Sequence, residues 1–138
     1  MKRLHIKIYL KNNHLINLKV YNLTIEKVAQ ATANMCKMEH PGTVGYGENL
    51  WANSWAMDNL TEAVIGAPLS WWSEKDQCPI NACKLHVTPQ VFDKCGHMTT
   101  VAWSHTTQIG CGIQLCPAQD WCSGWVSILI NELKHRTK

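Results

Sequence analysis

The sequence predicts a mixed α+β domain, and three observations carry that expectation. From residue 22 to residue 36 apolar residues recur at helical spacing. Ile25, Val28, Ala29, Thr32, Met35 and Cys36 share one side, with Glu26, Lys27, Gln30 and Asn34 elsewhere. Near the start, Leu4, Ile6, Ile8 and Leu10 alternate with His5, Lys7, Tyr9 and Lys11, the two-residue period of an amphipathic strand. Residues 98–103 are β-branched and aromatic, residues 104–107 are polar, and residues 108–115 read as strand again, which predicts two strands joined by a turn. At 138 residues the chain makes one domain, long enough to bury a core.

Composition narrows the classes. Hydrophobic residues make up 46% and charged residues 17%, as in a globular rather than a disordered chain. A formal net charge of +3 is too small to argue for nucleic acid. The basic excess is local, since Lys2, Arg3, Lys7, Lys11 and Lys19 all precede the first acid, Glu26. No apolar run reaches membrane-spanning length. Seven cysteines in so short a chain favour an oxidising compartment, and their spacings are wider than those of zinc knuckles. The odd count leaves at least one thiol outside intramolecular pairing. Lys7 and Lys11 interrupt the leading apolar stretch and no small-residue cleavage site follows, so no clear signal peptide is visible.

In chain order, the first strand ends at residues 12–14. Asn22 or Thr24 caps the helix that follows, and Pro41-Gly42 lies beyond its end. Asp58 or Asn59 caps a second helix over residues 58–65, Pro68 breaks it, and residues 69–74 resume helical spacing. Residues 75–94, with Cys78, Pro79, Cys83 and Pro89, read as loop. His97 then stands just before the strand at 98–103. An apolar run at 126–130 makes a closing strand, and residues 131–138 form a polar tail.

Several of these segments carry a resemblance. Gly96-His97-Met98-Thr99-Thr100-Val101-Ala102-Trp103 resembles the Gly-His-aromatic-Thr-Gln-hydrophobic-hydrophobic-Trp signature of the CAP superfamily. That group comprises cysteine-rich secretory proteins, antigen 5 allergens and pathogenesis-related proteins of group one. Met98 stands for the usual aromatic residue and Thr100 for the usual Gln. Gly47-Glu48-Asn49-Leu50 is similar to the family's Gly-Glu-Asn-Leu element, Trp71-Trp72-Ser73-Glu74 to the end of its acid-bearing helix, and residues 33–36 to its Ala-x-x-Cys helix end. The style most resembles the sperm-coating-protein-like secreted branch. The resemblance covers about residues 20–122, which divides the chain into a leading segment (1–19), a CAP domain (20–130) and a polar tail (131–138). The family's first helix, with its His-Asn-x-x-Arg element, has no counterpart before residue 20. It is missing or replaced, with residues 4–18 as a substitute cover.

This resemblance implies a three-layer α-β-α sandwich in which His40, Glu48, Glu74 and His97 meet in a central cleft. His40 and His97 would ligate zinc or another divalent metal, and Glu48 and Glu74 would orient the imidazoles or hold water on the ion. It implies disulfides between Cys36 and Cys116, Cys111 and Cys122, and Cys95 with Cys78 or Cys83. It further implies a secreted, extracellular, non-enzymatic protein that binds a protein, sterol or lipid partner. The alternatives are a zinc-dependent hydrolase using Glu48, Glu74, Ser73 and Thr99, or a degenerate copy with no activity. Two sequons, at Asn22 and Asn59, carry glycans if the chain is secreted, or serve only as helix caps. Trp71, Trp72 and Trp103 are expected in the core. Trp51, Trp55, Trp121 and Trp125 are less constrained.

Overall fold

In a computed structural model of the chain, the helical period that opens after Asn22 folds as α1 (Leu23–Asn34). The structure describes residues 5–6, 19–42, 45–53, 60–78, 88–103, 105–119 and 122–132, with residues 5–6, 60, 117–119 and 122–132 described by backbone alone. Asn22 starts the helix. Its side-chain oxygen accepts from the backbone N–H groups of Thr24 (2.7 Å) and Ile25 (3.3 Å), and its amide nitrogen donates to the Gln108 side chain. The cap therefore also ties the helix to the strand it covers. Ile25, Ala29, Thr32 and Ala33 form the buried face, while Met35, expected on that face, is 45% exposed. The chain leaves the helix through Cys36 at φ +52°, the left-handed position where Gly or Asn is usual.

The sheet has five strands among the described residues: β1 (His5–Ile6), β2 (Lys19–Tyr21), β3 (Tyr46–Ala52), β4 (Gln108–Gln119) and β5 (Cys122–Glu132). Their order is β1-β2-β4-β5-β3, so β3 is an edge. Only β2 and β4 run parallel among the described pairings. β4 and β5 form the long antiparallel hairpin, with Cys111 opposite Leu129 and Gln119 opposite Cys122. α1 lies directly on β4. A Cβ added at Gly110 would stand 2.2 Å from the Glu26 backbone nitrogen, and one at Gly112 would stand 2.3 Å from the Ala29 carbonyl carbon. No larger side chain fits between helix and strand.

The opposite face carries α2 (Leu60–Ser73) and α3 (Pro89–Ala102). Successive residues of β3 show the two sides. Leu50 joins the core cluster of Ile25, Ala29 and Ala33, whereas Asn49 donates from its side chain to the His97 carbonyl of α3 at 2.9 Å. α2 turns Ala63, Ala67 and Trp71 inward at four-residue spacing, and the Trp71 indole donates to the Leu50 carbonyl at 3.0 Å. The architecture is the three-layer sandwich that the resemblance implied.

Several expectations from the sequence need correction. Residues 98–102 are helical, not a strand, because they continue α3. The hydroxyls of Thr99 (2.8 Å) and Thr100 (2.9 Å) both donate back to the Gly96 carbonyl, so their β-branched side chains sit within a helix. Pro68 does not break α2. It lies on the exposed side while the buried period runs past it, and that burial offsets its missing hydrogen bond. Residues 75–94 are not all loop, since a 3-10 turn occupies Glu74–Asp76 and α3 begins at Pro89 with Thr88 as its cap. Asn131 and Glu132, assigned to the tail, belong to β5 and pair with Gly47 and Tyr46 of β3. Of the leading strand the structure describes His5–Ile6, which pairs with β2 at the sheet edge. The cover expected from residues 7–18 lies outside the described residues. Trp71 is buried as expected, but Trp103 is 43% exposed.

Lys19, on β2, is buried at 3% exposure and donates to the Val101 carbonyl in the last turn of α3 at 2.6 Å. Burial pulls its ammonium from the usual 10.5 down to about 8.

Two outcomes test this packing. Gly112→Ala should cost about 3 kcal/mol, because the obstructing atoms are helix backbone, and should lower the melting temperature by roughly 10 °C. An unchanged melting curve would contradict the close approach. For Lys19, the folded chain releases the proton at about 8 and the unfolded chain at 10.5, so the unfolded state holds more protons between them. The stability of the native chain relative to Lys19→Met should therefore rise by roughly 1–3 kcal/mol between those pH values, measured by urea melts.

Candidate functional site

The four side chains singled out from the sequence come together around one cleft of about 500 Å³. It opens along β3, where the loop after α1 meets α3. His40 lies four residues past Cys36, and the Cys36–Cys116 disulfide fastens that loop to β4. Glu48 stands on β3. His97 sits in the second half of α3, just past an irregular turn at Cys95, whose sulfur is bonded to Cys78. Glu74 opens the 3-10 turn that continues α2.

Each imidazole is held by one carboxylate. His40 Nδ1 is 2.8 Å from Glu48 Oε2, and His97 Nδ1 is 2.6 Å from Glu74 Oε1. An ionised carboxylate only accepts, so Nδ1 carries the hydrogen in both pairs, and in a neutral imidazole that leaves the lone pair on Nε2. The second Glu74 oxygen accepts from the Met98 backbone N–H at 3.1 Å, which fixes the carboxylate against the same turn of helix as its histidine. Trp71 stacks on the His97 ring with centroids 6.3 Å apart and planes 16° apart. His97 is thus held on three sides, by Glu74, Trp71 and the Asn49 bond to its carbonyl. His40 is freer, with its side chain 60% exposed. Glu48 is 8% exposed, and its Oε1 is buried with no hydrogen-bond partner among the described residues.

A divalent cation fits this donor set in part. The carboxylate-imidazole pairs have the form that metal-ligating histidines use, with Nδ1 engaged and Nε2 available. Among the described residues, no group of three or more His, Cys, Asp or Glu is arranged to hold a metal ion. His40 and His97 are the two imidazoles that line the cleft.

The hydroxyls suggested for a hydrolase do not join the site. Ser73 Oγ donates to the Ser70 carbonyl at 2.7 Å, Thr99 Oγ1 donates to the Gly96 carbonyl, and neither residue lines the cleft. Both sit on helices whose carbonyls they satisfy, which is why they point away. Reading the sequence missed Phe92 and Asp93, which line the cleft one helical turn before Gly96 and His97. The signal was the i, i+4 spacing, hidden while residues 75–94 were taken as loop.

The cysteines sort partly as expected. Cys36–Cys116 and Cys78–Cys95 are formed, so Cys78 rather than Cys83 takes Cys95. Cys111 is a free thiol, contrary to the expected bond with Cys122. The hairpin register explains this: Cys122 lies opposite Gln119, eight residues along β4 from Cys111, or about 26 Å at the usual strand rise. Although Cys111 is exposed as a residue, burial of its sulfur and the nearby Glu26 charge push the thiol up to about 11. Asn22, one of the two sequon residues, has both side-chain atoms committed to the cap and to Gln108. Asn59 and Cys83 lie outside the described residues.

The profile of the CAP group, the cysteine-rich secretory protein family, matches residues 11–127, beginning upstream of residue 20. The chain is 33% identical over 93 residues to the pathogenesis-related protein PRMS of Zea mays, covering 66% of this chain and 50% of that protein. It is 27% identical over 103 residues to glioma pathogenesis-related protein 1 of Mus musculus, covering 67% of this chain and 36% of that protein. The chain thus spans between about a third and a half of these relatives. Among solved structures, BmVAL-1 superimposes with a TM-score of 0.67 at 29% identity, covering 85% of this chain and 59% of that one. A structure described as NaASP2 with Zn2+ gives a TM-score of 0.67 at 21% identity, covering 84% and 60%. At that identity the likeness concerns the fold alone.

Peptide mapping without reductant tests the thiol pattern. It should recover the Cys36–Cys116 and Cys78–Cys95 links, with Cys111 alkylated only slowly at pH 8 because so little thiolate is present. A Cys111–Cys122 peptide would contradict the hairpin register.

Proposed function

The chain belongs to the cysteine-rich secretory protein (CAP) family, and from that premise we propose that it is a secreted, non-enzymatic binding protein with a zinc-like divalent cation in its cleft. The observation that carries this reading is the doubled pair His40–Glu48 and His97–Glu74 around one opening. Each glutamate sets the tautomer that leaves Nε2 for a cation, and the His97 side is already rigid. The neighbouring structure described with Zn2+ supports the choice of ion.

The non-enzymatic part of the reading rests on how the cleft acids are used. Glu74 has both oxygens engaged, so it is poorly placed to shuttle a proton. Ser73 and Thr99 supply no nucleophile to the cleft. The cation would order the two imidazoles and the His40 loop, and the partner would be an extracellular protein, a sterol or a lipid. Secretion accords with the disulfides. No helix among the described residues is long and apolar enough to cross a membrane.

Calorimetry on chelator-stripped protein tests the ligand set. One zinc ion per chain is expected, with uptake abolished by His97→Ala and weakened roughly 10- to 100-fold by Glu74→Gln, whose amide no longer enforces the tautomer. Uptake should also decline in acid, because protonated imidazoles do not ligate. Zinc binding by His97→Ala equal to that of the native chain would overturn the assignment.

A further inference from the structure

The cleft runs along an edge of the sheet, and the register of the strands decides which backbone groups face it. In β4, alternate residues turn away from β5. The Ile109 carbonyl accepts from the Asn22 N–H, the Tyr21 hydroxyl lies 3.4 Å from both backbone groups of Cys111, and the Gln30 amide bonds both backbone groups of Ile113. Gly110, Gly112 and Gln114 therefore exchange bonds with Ile130, Ile128 and Val126 of β5. That leaves Asn131, Leu129 and Ser127 to bond Gly47, Asn49 and Trp51 of β3. Tyr46, Glu48 and Leu50 must then point their backbone N–H and C=O groups outward. The Trp71 bond to the Leu50 carbonyl fixes the same alternation from the other side.

Elsewhere the protein closes such open positions with its own side chains, Gln30 at Ile113 and Trp71 at Leu50. An unclosed edge invites pairing with another chain. At Tyr46 and Glu48 the outward backbone groups make no hydrogen bond among the described residues. Both residues line the cleft. The Glu48 side chain is 8% exposed while the residue as a whole is less buried, so the surface it shows includes main chain. Tyr46 and Leu50 pack toward α1, so Gly47, like Asn49, faces α3. With no side chain at Gly47, the α3 side of this edge is left open. The opening is short, and it lies between the His40 loop and α3. A single extended segment fits it better than the broad edge of a second sheet.

We propose that an extended peptide adds to β3 as a further strand, exchanging N–H···O bonds with the backbone of Tyr46 and Glu48. The main chain of the peptide supplies the affinity, and the side chain opposite Gly47 points toward the α3 wall at Gly96 and His97. The partner is thus peptide main chain, a chemistry that neither a sterol nor a lipid tail offers. This rests on the reading of the cleft as a binding site, but it requires no ion.

The test is amide hydrogen exchange on the isotope-labelled full chain, followed by NMR in excess chelator. In the free chain the Tyr46 and Glu48 amides should exchange at least roughly tenfold faster than those of Gly47 and Asn49, which the ladder already holds. A blocked pentapeptide of alternating Thr and Val should slow Tyr46 and Glu48 by roughly tenfold and leave Gly47 and Asn49 unchanged. The same peptide N-methylated on one alternate set of amides keeps one free edge and should still protect. Methylated on both sets, it should not. No protection by the unmethylated peptide, or equal protection by the fully methylated one, overturns the proposal. Protection that grows with protein concentration in the absence of peptide assigns the edge to a second copy and overturns it as well. The metal reading is separable by calorimetry without chelator: zinc uptake with no peptide protection leaves the ion and removes the added strand. Peptide protection in a His97→Ala chain that takes up no zinc supports the added strand and shows it independent of the ion.

Discussion

Everything in this domain is arranged around the closeness of one helix to one strand. α1 rests on β4 where Gly110 and Gly112 put no side chain between them, so helix backbone and sheet meet almost directly. Such an approach has little tolerance, because interiors are packed at near-crystalline density and a single methyl group has nowhere to go. The Asn22 cap bonds to Gln108 at one end of the helix, and the Cys36–Cys116 bridge holds the other. Between these fixings α1 cannot slide. The loop leaving it therefore delivers His40 to the sheet edge where Glu48 waits on β3.

The other half of the cleft is held by different means. α3 is fastened at Cys95 by a disulfide to Cys78, at the His97 carbonyl by Asn49, at the Met98 amide by Glu74, and near its end by buried Lys19. These bonds come from three separate parts of the chain and converge on about one and a half turns of helix. Of the two imidazoles His97 is the more tethered for that reason, and His40 the more exposed.

The electrostatics of the cleft follow from the same construction. Two of its three acids serve as clamps for imidazoles, and the third faces solvent beside an aromatic ring. The acids of the cleft thus run against the net positive charge of the whole chain. Local field, not net charge, decides what approaches such a surface at distances within a screening length.

By itself the sequence determined the residues of the site and the family-like frame around them. The Gly-Glu-Asn-Leu and Trp-Trp-Ser-Glu elements and the Gly-His run named Glu48, Glu74 and His97, the loop eight residues before Glu48 offered His40, and the 3.6-residue period located α1 within a residue or two. The cysteine count favoured pairing, and among the described residues two disulfides form while Cys111 stays free. What sequence could not decide was set by contacts between distant segments. Residues 98–102 have strand-like composition but are helical, because Thr hydroxyls can bond back to the preceding turn and the packing of α3 outweighs local propensity. Pro68 sits inside a helix because Ala63, Ala67 and Trp71 bury on either side of it. The fate of Cys111 depends on strand register, which the spacing of cysteines does not reveal. Phe92 and Asp93 entered the cleft only once α3 was seen to begin at Pro89, since a helix face is a property of the element and not of any one residue in it.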